Sequence, residues 1–166
     1  MGMKEIPVEQ AWKRKYPEQV ALATTVSKSG KSNVIALGWA MPTSFEPPMA
    51  AISVGKSRYS HQLLVEVPEF VLCFPSVHQK DAMVFCGTHS GRDHDKFAET
   101  GLQAVPARRV RPPVIDGSVA AFECRVTASL ETGDHTIFAG EILSAYVNDE
   151  PVPRIYNFGE IFKGIA

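Results

Sequence analysis

The strongest constraint on this chain is a pair of β-rich runs separated by a polar turn. Val20-Ala21-Leu22-Ala23-Thr24-Thr25-Val26 is short, apolar and bounded by Ser27-Lys28-Ser29-Gly30-Lys31-Ser32; residues 33–40 read as the returning strand of a hairpin. Residues 41–48, with Pro42, Pro47 and Pro48, are expected not to continue it, because proline removes a donor and fixes φ. Residues 49–54 form a third strand, apolar on both faces and therefore buried. Leu63, Leu64 and Val67 then fall at helical spacing within residues 58–67, and Pro68 ends that helix. A fourth strand covers residues 69–74.

The middle of the chain is mixed. Ala82, Met83 and Cys86 share one side of a short helix over residues 79–86, and the polar residues 87–92 read as a loop. Asp93 is placed to cap a helix that carries Phe97 toward Gly101. Residues 104–113, rich in Pro and Arg, suggest a surface connection or an edge strand. Two longer strands follow, 119–130 and 136–147, joined at Glu131-Thr132-Gly133-Asp134-His135. The tail from Pro151 reads as irregular. With no internal repeat or linker, residues 1–166 are expected to form a single domain, mainly β with a few short helices, as a small closed or nearly closed barrel.

Composition excludes several classes of partner. Lys and Arg total 17 against 18 Asp and Glu, a net charge of -1, which offers no general attraction for nucleic acid or an anionic membrane. Apolar runs such as Val34-Ile35-Ala36-Leu37 are far too short to span a bilayer. The first residues lack the apolar core of a secretory signal, and Ile6 stands where myristoylation needs Ser or Thr, so a soluble cytoplasmic protein is expected. The three cysteines, Cys73, Cys86 and Cys124, form no Cys-x-x-Cys pair and read as buried free thiols.

Familiar catalytic signatures are missing. Gly30-Lys31-Ser32 resembles the end of a P-loop, but Thr25 occupies the position that motif reserves for Gly. The chain contains no Gly-x-Gly-x-x-Gly, Gly-x-Ser-x-Gly or His-Glu-x-x-His. His89 and His94 share one polar loop, but two histidines without a third ligand make a poor metal site, and no metal is expected.

A series of segments in order resembles the flavin reductase-like flavoproteins with an FMN-binding split barrel, the group of flavoredoxins and two-component flavin reductases. The segments are residues 20–25; Asn33-Val34-Ile35-Ala36-Leu37-Gly38-Trp39; Ser44 with Pro47-Pro48; Ile52-Ser53-Val54 with Lys56-Ser57-Arg58-Tyr59-Ser60; residues 69–72; Asp95-Lys96-Phe97 with Thr100-Gly101-Leu102; Glu123-Cys124; and Gly133-Asp134-His135 with Gly140-Glu141. Together they cover residues 17–147. The resemblance implies a homodimeric split β-barrel of Greek-key type, with FMN (or FAD) held non-covalently near the dimer interface. It also implies NAD(P)H as hydride donor and a possible redox partner protein.

A flavin needs an anionic anchor for its phosphate, an apolar slot for its ring and donors along its pyrimidine edge. Lys56, Ser57, Arg58 and Ser60 lie in one turn before a helix and suit the phosphate, although such a turn can also be a plain solvated face. Asn33, Ala36, Trp39, Met41, Thr43 and Ser44, with Ser53 and Val54, would wall the ribityl chain and the ring; Trp39 read alone is equally a core aromatic, and Asn33 a turn residue. The resemblance alone suggests that Lys96 and Phe97 close over the flavin edge. It also puts His135 where the nicotinamide approaches, whereas the residue by itself could be a solvated hairpin histidine. The activity implied is NAD(P)H-dependent flavin reduction. An FMN electron carrier or ferric-chelate reductase without efficient nicotinamide use, and a non-catalytic flavin-binding sensor, are the alternatives.

Overall fold

A two-residue strand, β1 (Glu18–Gln19), precedes β2 (Ala21–Val26), which pairs antiparallel with β3 (Ser32–Leu37) across the expected turn. The computed structural model describes residues 2–159 and 161–165, and of Lys13 and Arg14 the backbone only. Every residue of β2 is buried, since both of its faces are covered. That explains why the run carries no charged side chain and does not alternate between apolar and exposed polar residues.

The remaining strands and helices are β4 (Ala40–Phe45), β5 (Pro48–Gly55), α1 (Tyr59–Glu66), β6 (Glu69–Phe74), α2 (Lys80–Thr88), α3 (Lys96–Thr100), β7 (Ala104–Val105), β8 (Val114–Ile115), β9 (Ala120–Thr132), β10 (His135–Val147), β11 (Arg154–Asn157) and β12 (Phe162–Ile165). Seven strands form one antiparallel sheet in the order β3-β2-β6-β9-β10-β5-β4. Side chains from β2, β5, β6, β9 and β10 meet in a single cluster around Ala23, Ile52, Phe70, Leu72, Cys124 and Phe138. One face shared by so many strands requires the sheet to curl around it, which is the mainly β split barrel that the sequence suggested. Gly140 lies opposite a bulge in β9 at Thr127, and an added Cβ there would come within 3.1 Å of Phe70, Cys124 and the Arg125 carbonyl.

The opposite face of β2 and β6 carries Leu22, Val71 and Cys73 into a second cluster with Met83 and Cys86 of α2, Ile115 of β8 and Ile155 of β11. All three cysteines are free and buried. Burial pushes the thiols of Cys73 and Cys124 up to about 12 and that of Cys86 up to about 11, so none is a nucleophile. Glu123 is fully buried, and its carboxylate accepts from the amides of Arg108 (2.9 Å) and Arg109 (2.6 Å) and from the Tyr146 hydroxyl. It staples the Pro- and Arg-rich connection to the barrel.

Three expectations about local structure are corrected. Residues 41–45 do form a strand: β4 lies at the sheet edge and pairs with β5 alone, with an irregularity between Pro42 and Ser44, so Pro42 lacks only a donor the edge does not need. The tail is not irregular, for β11 pairs with β1 on one side and β12 on the other as a three-stranded sheet. The cap of α3 is Asp95, whose carboxylate accepts from Ala98 N at 3.2 Å, and not Asp93; Gly101, at φ 72°, closes the helix.

Candidate functional site

The turn that leaves β5 builds the first half of the site. Arg58 N donates to Gly55 O (2.9 Å) and His61 N to Arg58 O (3.0 Å), so the chain reverses tightly into α1. Arg58 takes the N-cap position without capping through its side chain, which leaves the guanidinium free beside the unpaired first amides of the helix. A cavity of about 180 Å³ opens here, lined by Ser57, Arg58 and Ser60 on one side and by the loop Thr88–Arg92 on the other. Arg92 closes it, donating from Nη1 to Ser57 O (3.3 Å) with its guanidinium 5.3 Å from the Tyr59 ring centroid.

The floor of the cavity is polar and buried. Asn33 donates from Nδ2 to Ser60 Oγ (2.8 Å) and Thr25 Oγ1 (3.2 Å), while its buried Oδ1 has no donor among the described residues. A Cβ on Gly91 would overlap that Oδ1, so the loop can pass this close only as glycine. Lys96, 5% exposed, donates from Nζ to Val34 O and Cys86 O, each at 2.8 Å. An ammonium has three donors, which leaves one for the cavity it lines. Burial lowers the pKa of Lys96, the nearby Cys86 opposes that, and Arg58 adds to it. Two guanidiniums, a buried ammonium, several hydroxyls and a helix start give this small cavity, the cradle, a chemistry that suits an anion.

The second half is an apolar slot of about 160 Å³ between Trp39, Ala40, Met41, Ile52, Ser53 and Ile137. Trp39 occupies the bend between β3 and β4, and its carbonyl accepts from Ser53 N at 2.9 Å. Its indole packs on the His135 imidazole, with ring centroids 4.7 Å apart, and on Trp12, at 5.7 Å. Lys15, ion-paired with Glu18, lies 5.7 Å from the Trp39 ring centroid. His135 Nδ1 is 2.7 Å from Asp134 Oδ1, and this hydrogen bond to His135, reinforced by its charge, holds the Asp134 carboxyl below its usual range. Fixing Nδ1 in this way turns Nε2 toward Gly55, where an added Cβ would stand 3.5 Å from both Nε2 and Arg58 Cγ. Gly55 thus stands between Arg58, which lines the cavity, and His135, which packs on Trp39 of the slot.

Placement of the residues singled out in the sequence is uneven. Asn33, Ser57, Arg58, Ser60 and Lys96 converge on the cradle; Trp39, Met41 and Ser53 converge on the slot, with His135 against Trp39. Lys56 turns away, pairing with Glu131 across the β9–β10 hairpin at 3.0 Å. Val54 points into the barrel core, Phe97 packs against the second cluster, and Ala36 lies beside α2. Thr43 and Ser44 lie on the edge strand outside both cavities. Arg92 and Ser90 were not anticipated. Their signal was the Ser-Gly-Arg composition of the loop, but only the packing of α2 shows which cavity it faces. Among the described residues no group of three or more metal-type ligands is gathered, and no helix is long and apolar enough to cross a membrane.

Residues 13–164 match the family described as flavin reductase like domain. The chain belongs to that family. An uncharacterised protein of Archaeoglobus fulgidus is 40% identical over 128 residues, covering 77% of this chain and 71% of that protein. The flavoredoxin of Desulfovibrio vulgaris (Miyazaki F) superposes with a TM-score of 0.86 at 25% identity, over 99% of this chain and 94% of the other. The NADH:FAD oxidoreductase of Streptomyces globisporus gives a TM-score of 0.86 at 25% identity, over 100% of this chain and 99% of the other.

Proposed function

We propose that this protein is a homodimeric, FMN-binding oxidoreductase that reduces its flavin with NAD(P)H, FAD being the alternative flavin. The observation that carries the reading is the position of Gly55 between Arg58 of the anion cradle and His135 against Trp39 of the slot. The polar floor, the unpartnered Asn33 Oδ1 and the two guanidiniums fit a phosphorylated polyol. FMN, when bound, would supply the hydride-accepting ring.

The chain's own groups then position the reactants. Arg58, Arg92 and Lys96 hold the phosphate, and Asn33 and Ser60 face the polyol. Trp39, Met41 and Ile137 exclude water from one side of the slot. His135, oriented by Asp134, presents Nε2 to a nicotinamide carboxamide or, protonated, balances negative charge on a reduced ring. Hydride transfer needs no general base, so positioning is the main task of the protein. The likeness to an NADH:FAD oxidoreductase supports this assignment.

A flavoredoxin-like electron carrier is the second reading, favoured by the exposed Met41 in the slot wall, by the exposed Trp12 packed on Trp39, and by the likeness to a flavoredoxin. The exposed Met41 and Phe45 on edge strand β4 suit a dimer contact that would complete the flavin site. An absorbance spectrum of the purified protein, repeated after anaerobic addition of NADH and then NADPH, tests the proposal. Flavin bands that bleach within seconds support the reductase, bands that bleach only with dithionite support the carrier, and no flavin uptake overturns both. Sedimentation of a monomer that still holds FMN would overturn the shared site.

A further inference from the structure

A third cavity, of about 290 Å³, lies at the barrel mouth, bounded by Leu72, Phe74, Phe122, Met49, Ile142 and Arg154. Its size approaches the lower end of the range for small-molecule sites, about 300–1,000 Å³. Apart from Gln19 and Arg154, its side chains are apolar. Arg154 is carried by β11 and fixed there by backbone: Ile155 N donates to Pro75 O (3.3 Å), and Val77 N to Pro153 O (2.9 Å). Its guanidinium carbon stands 4.0 Å from the ring centroid of Phe74, which in turn meets Phe122 edge-on at 5.5 Å.

The guanidinium is underpaired for a half-buried group. Five N–H donors are available. Among the described residues the one hydrogen bond found for them runs from Nη2 to Gln19 Oε1 (3.0 Å), and Nε is buried with no acceptor. Gln19 is itself held by donating to Ala40 O. The ion pairs found among the described residues lie elsewhere, so none of their carboxylates neutralises this cation. Partial burial disfavours its charge, while Tyr156 and the Phe74 ring favour it. A half-buried guanidinium over aromatic rings, with no carboxylate partner among the described residues, is complementary to an anion with an apolar body.

We propose that the barrel-mouth cavity binds a small aromatic monocarboxylate, its ring packed between Phe74, Phe122 and Ile142 and its carboxylate taken by the Nη groups of Arg154. The ring meets an aromatic pair already set edge-on, which favours a flat ligand over a branched aliphatic one. Because the cavity shares Ala40 and Met41 with the apolar slot, an occupant here would touch the wall of that slot without entering the phosphate cradle. The cavity therefore adjoins the proposed flavin site at Ala40 and Met41 and shares no lining residue with the phosphate cradle.

The test is titration of the full-length protein, flavin-loaded or flavin-free, with benzoate and with benzamide, followed by heat and by NMR shifts. Benzoate should bind once per chain, and benzamide, which has the same shape without the charge, should bind at least about tenfold more weakly. Arg154→Met should weaken benzoate by at least about the same factor and leave FMN affinity unchanged, while Arg154→Lys should recover part of it. If Arg154→Met fails to fold, the benzoate-to-benzamide ratio in the parent protein decides by itself. Equal binding of the two ligands, no benzoate binding, or full competition between benzoate and FMN would overturn the proposal. So would a crystal structure in which a second copy seats a side chain on the Arg154 guanidinium.

Discussion

His135 and Trp39 lie ring against ring, centroids 4.7 Å apart and planes inclined by 41°, although one closes a hairpin and the other sits at a strand bend. The contact ties the group proposed to meet the nicotinamide to the wall of the ring slot. His135→Ala should slow reduction by NAD(P)H roughly two- to tenfold, the value of one positioning hydrogen bond, and leave FMN affinity nearly intact. Anaerobic stopped-flow comparison of NAD(P)H with dithionite checks it. Equal slowing with both reductants would instead mean that the loss of the imidazole disturbed Trp39.

Arg58 and Arg92 face one cavity from two loops, whereas Lys56 is engaged with Glu131. Replacing either arginine with Ala should weaken FMN by about tenfold or more and riboflavin far less, because only FMN carries the phosphate. Lys56→Ala should change neither by more than about twofold. Fluorescence titrations with the two flavins separate these outcomes, and a Lys56 effect equal to that of Arg58 would refute the cradle as drawn.

Gly91 touches Asn33 so closely that any side chain would displace it. Gly91→Ala should cost about 1–3 kcal/mol of stability, the usual penalty for overpacking. It should also weaken flavin binding, because the loop carrying Arg92 must lift. Urea unfolding together with an FMN titration measures both effects.

Glu123 supplies the clearest pH dependence. Burial alone would raise its pKa, but the Tyr146 hydroxyl and the amides of Arg108, Arg109 and Val110 outweigh burial and hold it below its ordinary value. A depressed folded pKa means that the stability from this group is fully present above the unfolded value, about 4.3, and is lost as pH falls through the folded one. Glu123→Gln should therefore destabilise by about 1–3 kcal/mol at neutral pH, with the gap to the parent protein closing in acid. Urea midpoints across a pH series provide the check.

Much of the barrel was legible because β2, β5 and β6 are apolar runs punctuated by turns, and α1 shows helical spacing. What escaped the sequence depended on partners. Pro42 argues against a strand until β4 is known to lie at an edge, and the short strand β11 exists because β1 and β12 are there to pair with it. In the site, Arg58 was readable from its turn before a helix. Arg92 was not, because its position depends on how α2 packs against β3. Lys56 has the same local signal as Arg58, and only the β9–β10 hairpin, by supplying Glu131, separates the two.

The cradle draws on Asn33 near the start of the chain, Arg58 and Ser60 after β5, Arg92 in a loop and Lys96 in α3. Segments so far apart in sequence meet only when the whole barrel has closed, so the unfolded chain holds no part of the site. Whatever anion binds there is linked to folding itself: each tenfold rise in free ligand above its dissociation constant adds about 1.4 kcal/mol to the unfolding free energy. Inside a cell, the survival of this protein against proteolysis would follow the supply of its ligand, and a shortage would be seen first as a fall in abundance.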